Sequence, residues 1–74
     1  MGNSFPERLK EARQKKGLSQ RTLADKIGLI KNQIWHYENG KTEPRLSTLI
    51  WLADALEVSI DWLVGRDNDV RRIL

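Results

Sequence analysis

The sequence predicts an all-α domain of five short helices, and three observations carry that prediction. No segment sustains the apolar/polar alternation of a half-buried strand, whereas apolar residues recur at intervals of three and four along most of the chain. Glycines stand just past four of the apolar stripes, at positions 17, 28, 40 and 65. Serines 4, 19 and 59 stand in front of three of them, where a side-chain oxygen can accept from an unpaired backbone N–H. The 74 residues hold no internal repeat and no linker long enough to divide domains. A chain of this length buries only roughly 60% of its unfolded surface and depends on efficient helix packing.

The helices follow in order. Phe5, Leu9 and Ala12 form the stripe of a helix over about 5–16. The run Ser4-Phe5-Pro6-Glu7 has the makings of a capping box, and Lys15 and Lys16 suit the negative end of the helix dipole before Gly17 ends it. Ser19 opens a second helix, 20–27, that buries Leu23, Ala24 and Ile27 and stops at Gly28. Ile30, Ile34 and Tyr37 give the stripe of a third, 31–38, ended by Asn39-Gly40. Residues 41–45, with Pro44 lacking a donor and restricting Glu43, read as a loop. Leu46, Leu49, Ile50, Ala53 and Leu56 make a fourth helix, 46–56. Ser59 opens a fifth, 60–65, with Asp61 in its first turn, Ile60, Leu63 and Val64 inward and Gly65 at its end. Residues 1–66 thus form one domain, and 67–74 a short charged tail that is either a dimerisation element or disordered.

Composition excludes several functions. With no cysteine and a single histidine, a disulfide is impossible and a zinc site would lack a good ligand set, so no metal or other cofactor is expected. No apolar run approaches the roughly 20 residues of a membrane span, and the N-terminus lacks an apolar signal core. The expectation is a soluble cytoplasmic protein. Nucleophile–base spacing and a glycine-rich phosphate loop are both missing, so no catalytic residues are assigned and an enzyme is not expected. Charge is uneven: residues 1–41 carry nine Lys/Arg against four Asp/Glu, while residues 42–74 carry four against six. A basic N-terminal half suits an anionic partner, nucleic acid first among them.

Numbered from Gln20 as the first position, residues 20–39 fit a helix-turn-helix. Ala24 falls fifth, where a larger side chain would force the crossing helices apart. Gly28 falls ninth, where a turn of three or four residues needs a positive φ. Leu23, Ile27, Leu29, Ile34 and Tyr37 fall at the apolar positions of the seam. The whole stretch from Phe5 to Gly65 resembles the lambda-repressor-like, or XRE-type, DNA-binding domains of phage repressors, Cro-like proteins and bacterial regulators. The residues that carry the resemblance are RLKEARQKKGLSQRTLADKIGL (8–29), the I-x-x-Y-E-N-G-K-x-x-P block from Ile34 to Pro44, and LSTLIWLADALEVSIDWLVG (46–65).

The resemblance implies that the third helix enters the major groove. Lys31, Asn32, Trp35 and His36 are then the base-contacting candidates: Asn32 for an adenine edge, Lys31 for guanine or only phosphate, His36 for guanine or phosphate, and Trp35 for a sugar or a thymine methyl. Gln20, Gln33, Asn39, Lys41, Thr42 and Arg45 match positions that contact phosphates, which set register rather than sequence. Arg13 and Glu38 match a structural salt bridge. Ile30 departs from the pattern, since the family usually places Ser or Thr there as an N-cap. Trp51 and Trp62 lie off the predicted core stripes and form either a dimer surface, with Val70, Ile73 and Leu74, or half-buried core positions. The function implied is a double-stranded-DNA-binding transcriptional regulator, a repressor that binds an inverted-repeat operator as a homodimer. It would work in the cytoplasm of a bacterium, encoded by the host or a phage. The alternative is a protein-interaction module of the same fold, an antitoxin or coactivator.

Overall fold

The computed structural model describes residues 4–66. The helices are α1 (Phe5–Lys15), α2 (Gln20–Ile27), α3 (Lys31–Glu38), α4 (Leu46–Leu56) and α5 (Ile60–Leu63), and no strand occurs among the described residues. The middle three run as the sequence predicts. α1 is one residue shorter than expected, and the predicted helix 60–65 contracts to four residues because Val64 and Gly65 are used in its closing turn. The predicted tail 67–74, with Val70, Ile73 and Leu74, lies outside the described residues.

All five helices close in the same way. Past each helical end, the N–H of the residue after a positive-φ position reaches back to a carbonyl five residues earlier: Leu18 to Arg13, Leu29 to Ala24, Lys41 to His36, Val58 to Ala53 and Arg66 to Asp61, at 2.7–3.1 Å. This is the Schellman arrangement, which needs one left-handed residue. Four closures use glycine. The closure of α4 uses Glu57, at φ 59°, a position with no stop signal in the sequence. The Glu57 carboxylate pairs with Lys16 Nζ at 2.9 Å, joining this corner to the end of α1. The Lys16 ammonium, through its hydrogen bond first and its charge second, holds the Glu57 carboxyl below the ordinary 4.5, and Lys26 adds a smaller pull.

Ser19 Oγ accepts from Thr22 N–H and Ser59 Oγ from Trp62 N–H, both at 3.0 Å, so α2 and α5 are capped as their sequences predict. α1 differs. Ser4 makes no side-chain cap, and its hydroxyl instead donates to the Glu7 carboxylate, because an ionised oxygen is a stronger partner than a backbone N–H. The Ser4 hydroxyl is the largest cause of a lowered Glu7 pKa, and backbone hydrogen bonds from Glu7 and Ser4 act in the same direction.

The core joins Leu9 and Ala12 of α1, Leu23 and Ala24 of α2, Ile34 and Tyr37 of α3, Leu52, Ala53 and Leu56 of α4, and Leu63 of α5. α3 packs on α2 and α1, α4 on α2 and α5, and α5 closes against α1. Two stripes need correction. In α4 the buried residues are Thr48, Leu52, Ala53 and Leu56, while Leu46 is 68% exposed and Ile50 is also exposed. Apolar residues surround α4 on nearly every side, so packing against α2 and α5, rather than periodicity, selects its inner face. Ile30 is 70% exposed because it precedes α3 in extended backbone and so falls off the helical stripe. Trp51 is exposed. Trp62 is half-buried against the core, with the Arg8 guanidinium 4.7 Å from its ring centre and Arg8 Nη1 donating to the Trp62 carbonyl at 2.9 Å.

No helix among the described residues is long and apolar enough to cross a membrane. Replacing Gly28 with alanine places no atom in a clash, so the whole cost is that of a left-handed alanine, about 1–2 kcal/mol. A thermal melt of Gly28→Ala should show a midpoint lower by roughly 4–8 °C for each kcal/mol lost. In a carboxyl NMR titration Glu57 should have its midpoint below 4.5, and Lys16→Met should return it towards that value.

Candidate nucleic-acid interface

α2 and α3 are joined by the three residues 28–30. Gly28, at φ 79°, reverses the chain, and the Leu29 N–H bond to Ala24 locks the reversal. Ala24 is fully buried at the crossing, while Leu23, Ile34 and Tyr37 fill the seam and Ile27 and Leu29 are half-buried at its rim. Ile30 offers no side-chain acceptor, so the first turn of α3 has no side-chain cap; the Ile30 carbonyl accepts from Gln33 N–H at 3.0 Å.

The far end of α3 is held by charge. Arg13 meets Glu38 as a fork, Nε to Oε2 at 2.6 Å and Nη2 to Oε1 at 3.0 Å. Nη1 donates to the Leu18 carbonyl at 2.8 Å, and Gln20 Nε2 donates to Glu38 Oε1 at 3.1 Å. The two charged side chains retain 10% and 3% of their exposure, which puts the pair in the interior. No buried side-chain polar atom among the described residues lacks a partner, so the charges are compensated where they lie.

At roughly 100° per residue, Asn32, His36 and Asn39 share one face of α3 opposite the buried Ile34. Trp35 and Lys31 are exposed on its flank and in its first turn. His36 Nδ1 lies 2.6 Å from the Asn32 carbonyl, and the Trp35 ring meets the imidazole edge to face at 5.2 Å. Asn39 donates its amide back to the Trp35 carbonyl at 2.8 Å, which leaves one amide hydrogen for anything else. Gln33 and Arg45 border a common groove of about 800 Å³ with Leu29, Pro44 and Trp51. Lys41 is exposed at the end of α3. Thr42 borders a different groove, with Phe5, Pro6 and Leu49, and Gln20 belongs to the Arg13–Glu38 cluster. Sequence reasoning passed over Arg21, an exposed cation in the first turn of α2, although its place beside Gln20 was a signal. It also passed over Arg8, whose burial under Trp62 has no local signature. No group of three or more His, Asp or Glu residues able to hold a metal occurs among the described residues.

Two helices crossing at a small residue, joined by a glycine turn, with a polar outer face on the second, define a helix-turn-helix domain. The chain belongs to the helix-turn-helix family, whose sequence profile matches residues 9–63. Its fold is lambda-repressor-like. It is 41% identical over 65 residues to the HTH-type transcriptional regulator ImmR of Bacillus subtilis (strain 168), covering 88% of this chain and 51% of that protein. It is 42% identical over 60 residues to the cryptic phage CTXphi transcriptional repressor RstR of Vibrio cholerae, covering 81% and 54%. The P22 c2 repressor, solved in complex with synthetic operator 9T, superposes with a TM-score of 0.82 at 31% identity, over 86% of this chain and 97% of that one. The chain spans about half the length of the curated relatives it matches.

Arg13→Met removes one half of a buried pair and leaves the buried Glu38 carboxylate with Gln20 as its remaining side-chain partner. Urea unfolding should show a loss of about 3–5 kcal/mol.

Proposed function

We propose that this domain is the sequence-specific DNA-binding part of a transcriptional repressor, acting in the bacterial cytoplasm and encoded by a bacterium or a phage. The observation that carries this reading is the outer face of α3. It offers an amide, an imidazole and, in the first turn, an ammonium, on a helix whose opposite side is buried and whose end is clamped by Arg13 and Glu38. A major groove about 12 Å wide admits such a helix, and its base edges are read by donors and acceptors of this kind. In this reading Asn32 bonds an adenine edge, Lys31 reaches guanine, and Trp35 lies against sugar or a thymine methyl.

Lys41, Arg45, Gln33, Thr42, Asn39 and the second amide hydrogen of Gln20 contact phosphates, favoured by the basic balance of residues 1–41. A domain this small gains affinity and specificity by pairing, so the operator is an inverted repeat with half-sites roughly 34–36 Å apart, bound by a homodimer. The exposed Leu46, Ile50 and Trp51 of α4 favour a second reading, in which the same fold holds a protein partner as an antitoxin or coactivator. No metal or cofactor enters either reading.

Selection from a randomised duplex library, followed by anisotropy titration across salt concentrations, separates the two. The repressor reading expects an enriched inverted repeat whose affinity falls steeply as salt rises. Asn32→Ala should relax one position by about 1–3 kcal/mol, and Lys41→Ala should weaken all sequences alike and lower the salt slope by about one. Binding that is weak and indifferent to sequence would overturn it in favour of the protein-partner reading.

A further inference from the structure

The contact between His36 and Asn32 determines what His36 can read, given the DNA-binding reading on which this inference rests. Nδ1 lies 2.6 Å from the Asn32 main-chain oxygen. A carbonyl oxygen only accepts, so Nδ1 carries a hydrogen, and in the neutral ring Nε2 then has a lone pair and none. Nε2 has no hydrogen-bond partner among the described residues, and no buried side-chain nitrogen or oxygen is left unpaired, so Nε2 is open to solvent. Turning the ring over would set a carbon against the Asn32 oxygen and lose the bond, and the Trp35 ring at 5.2 Å and 83° stands beside it. The tautomer and the ring orientation are therefore fixed together, by the backbone of a neighbouring residue on the same face.

In the major groove, the base edges that donate are the N6 amino group of adenine and the N4 amino group of cytosine; guanine O6 and N7 and thymine O4 only accept. A lone pair suits the first two and is repelled by the others, as it is by phosphate oxygens. We propose that His36 is a specificity-determining acceptor. It takes a hydrogen bond through Nε2 from an exocyclic amine, adenine N6 or cytosine N4, and does not donate to guanine or phosphate as the sequence alone suggests. Asn32 then has two tasks: its side chain faces a base, while its carbonyl sets the chemistry of the neighbouring reader.

The test uses the duplex found by the selection above, at pH 8. Each adenine in turn is replaced by purine and each cytosine by pyrimidin-2-one, which removes one exocyclic amine at a time. Binding is measured for the wild-type protein, for His36→Ala, and for His36→Phe, which keeps a ring beside Trp35 but no nitrogen. Comparing proteins on one duplex cancels the effect of the lost base-pair hydrogen bond. At one position, removing the amine should weaken the wild type about three- to tenfold, the worth of one hydrogen bond, and both variants less than about twofold. If every amine deletion weakens all three proteins equally, the proposal is overturned. It is overturned equally if the His36 variants relax a guanine or weaken every sequence alike, which are the signatures of a donor to base or to phosphate. A selection that enriches nothing overturns the DNA-binding reading and this inference with it; an enriched operator without a His36-coupled amine overturns this inference alone.

Discussion

The position of α3 depends on one buried ion pair. A helix of eight residues does not hold its shape in water by itself, so its orientation is supplied by what it touches. On one side that is the apolar seam with α2. At the far end it is Glu38, gripped by a guanidinium from α1 that also holds the Leu18 carbonyl in the α1–α2 turn, while Gln20 at the start of α2 closes the cluster. Four separate pieces of chain meet at one carboxylate and one arginine. Burial of such charges is tolerable only when they are paired and hydrogen-bonded, and here each is. The cluster therefore stabilises less than it orients: it fixes the angle at which the outer face of α3 meets whatever lies beyond it.

The two ends of α3 are held differently. Its far end has the Arg13 clamp and the Lys41 closure, whereas its start has an exposed isoleucine in place of a capping oxygen. The first backbone N–H groups of the helix therefore look outward with no side chain to satisfy them. On the outer face the polar groups are partly occupied by the helix itself: the His36 imidazole and the Asn39 amide both bond to carbonyls four residues back. What these two side chains keep for a ligand is the other imidazole nitrogen of His36 and, on Asn39, one amide hydrogen and the amide oxygen, beside the exposed Asn32 side chain.

Much of this was legible in the sequence because it is written in local chemistry. The bounds of α2 follow from Ser19 and Gly28, the end of α3 from Asn39-Gly40 and the start of α4 from the Pro44 loop, and the spacing of Leu23, Ala24, Gly28 and Ile34 places the turn and the seam. The inner face of α4 was not legible, since a helix with Leu46, Leu49, Ile50, Trp51 and Leu52 in its first turns gives periodicity nothing to choose between. Ile30 was misplaced because a hydrophobic residue one step before a helix looks like part of its stripe. Ser4 and Glu7 carried the right letters for a capping box, yet the choice between donating to a carboxylate and accepting from a backbone N–H turns on the strength of a charged acceptor. Among the candidate site residues, the tie of Gln20 to Glu38 and the tautomer of His36 depend on tenths of an ångström in three dimensions, and no spacing rule reaches them.

The repeated helix closure bears on how the chain reaches this shape. Each closure is complete within six residues, so every helix holds its own stopping instruction before any partner helix arrives. Domains built from such near-neighbour contacts fold in microseconds to milliseconds, because little chain entropy is lost before contacts begin to form. The distant meetings that remain include Arg13 with Glu38, 25 residues apart, and Arg8 with Trp62, 54 apart. Both are made by arginines of α1, so a helix synthesised before the third and the fifth carries the groups that later gather them.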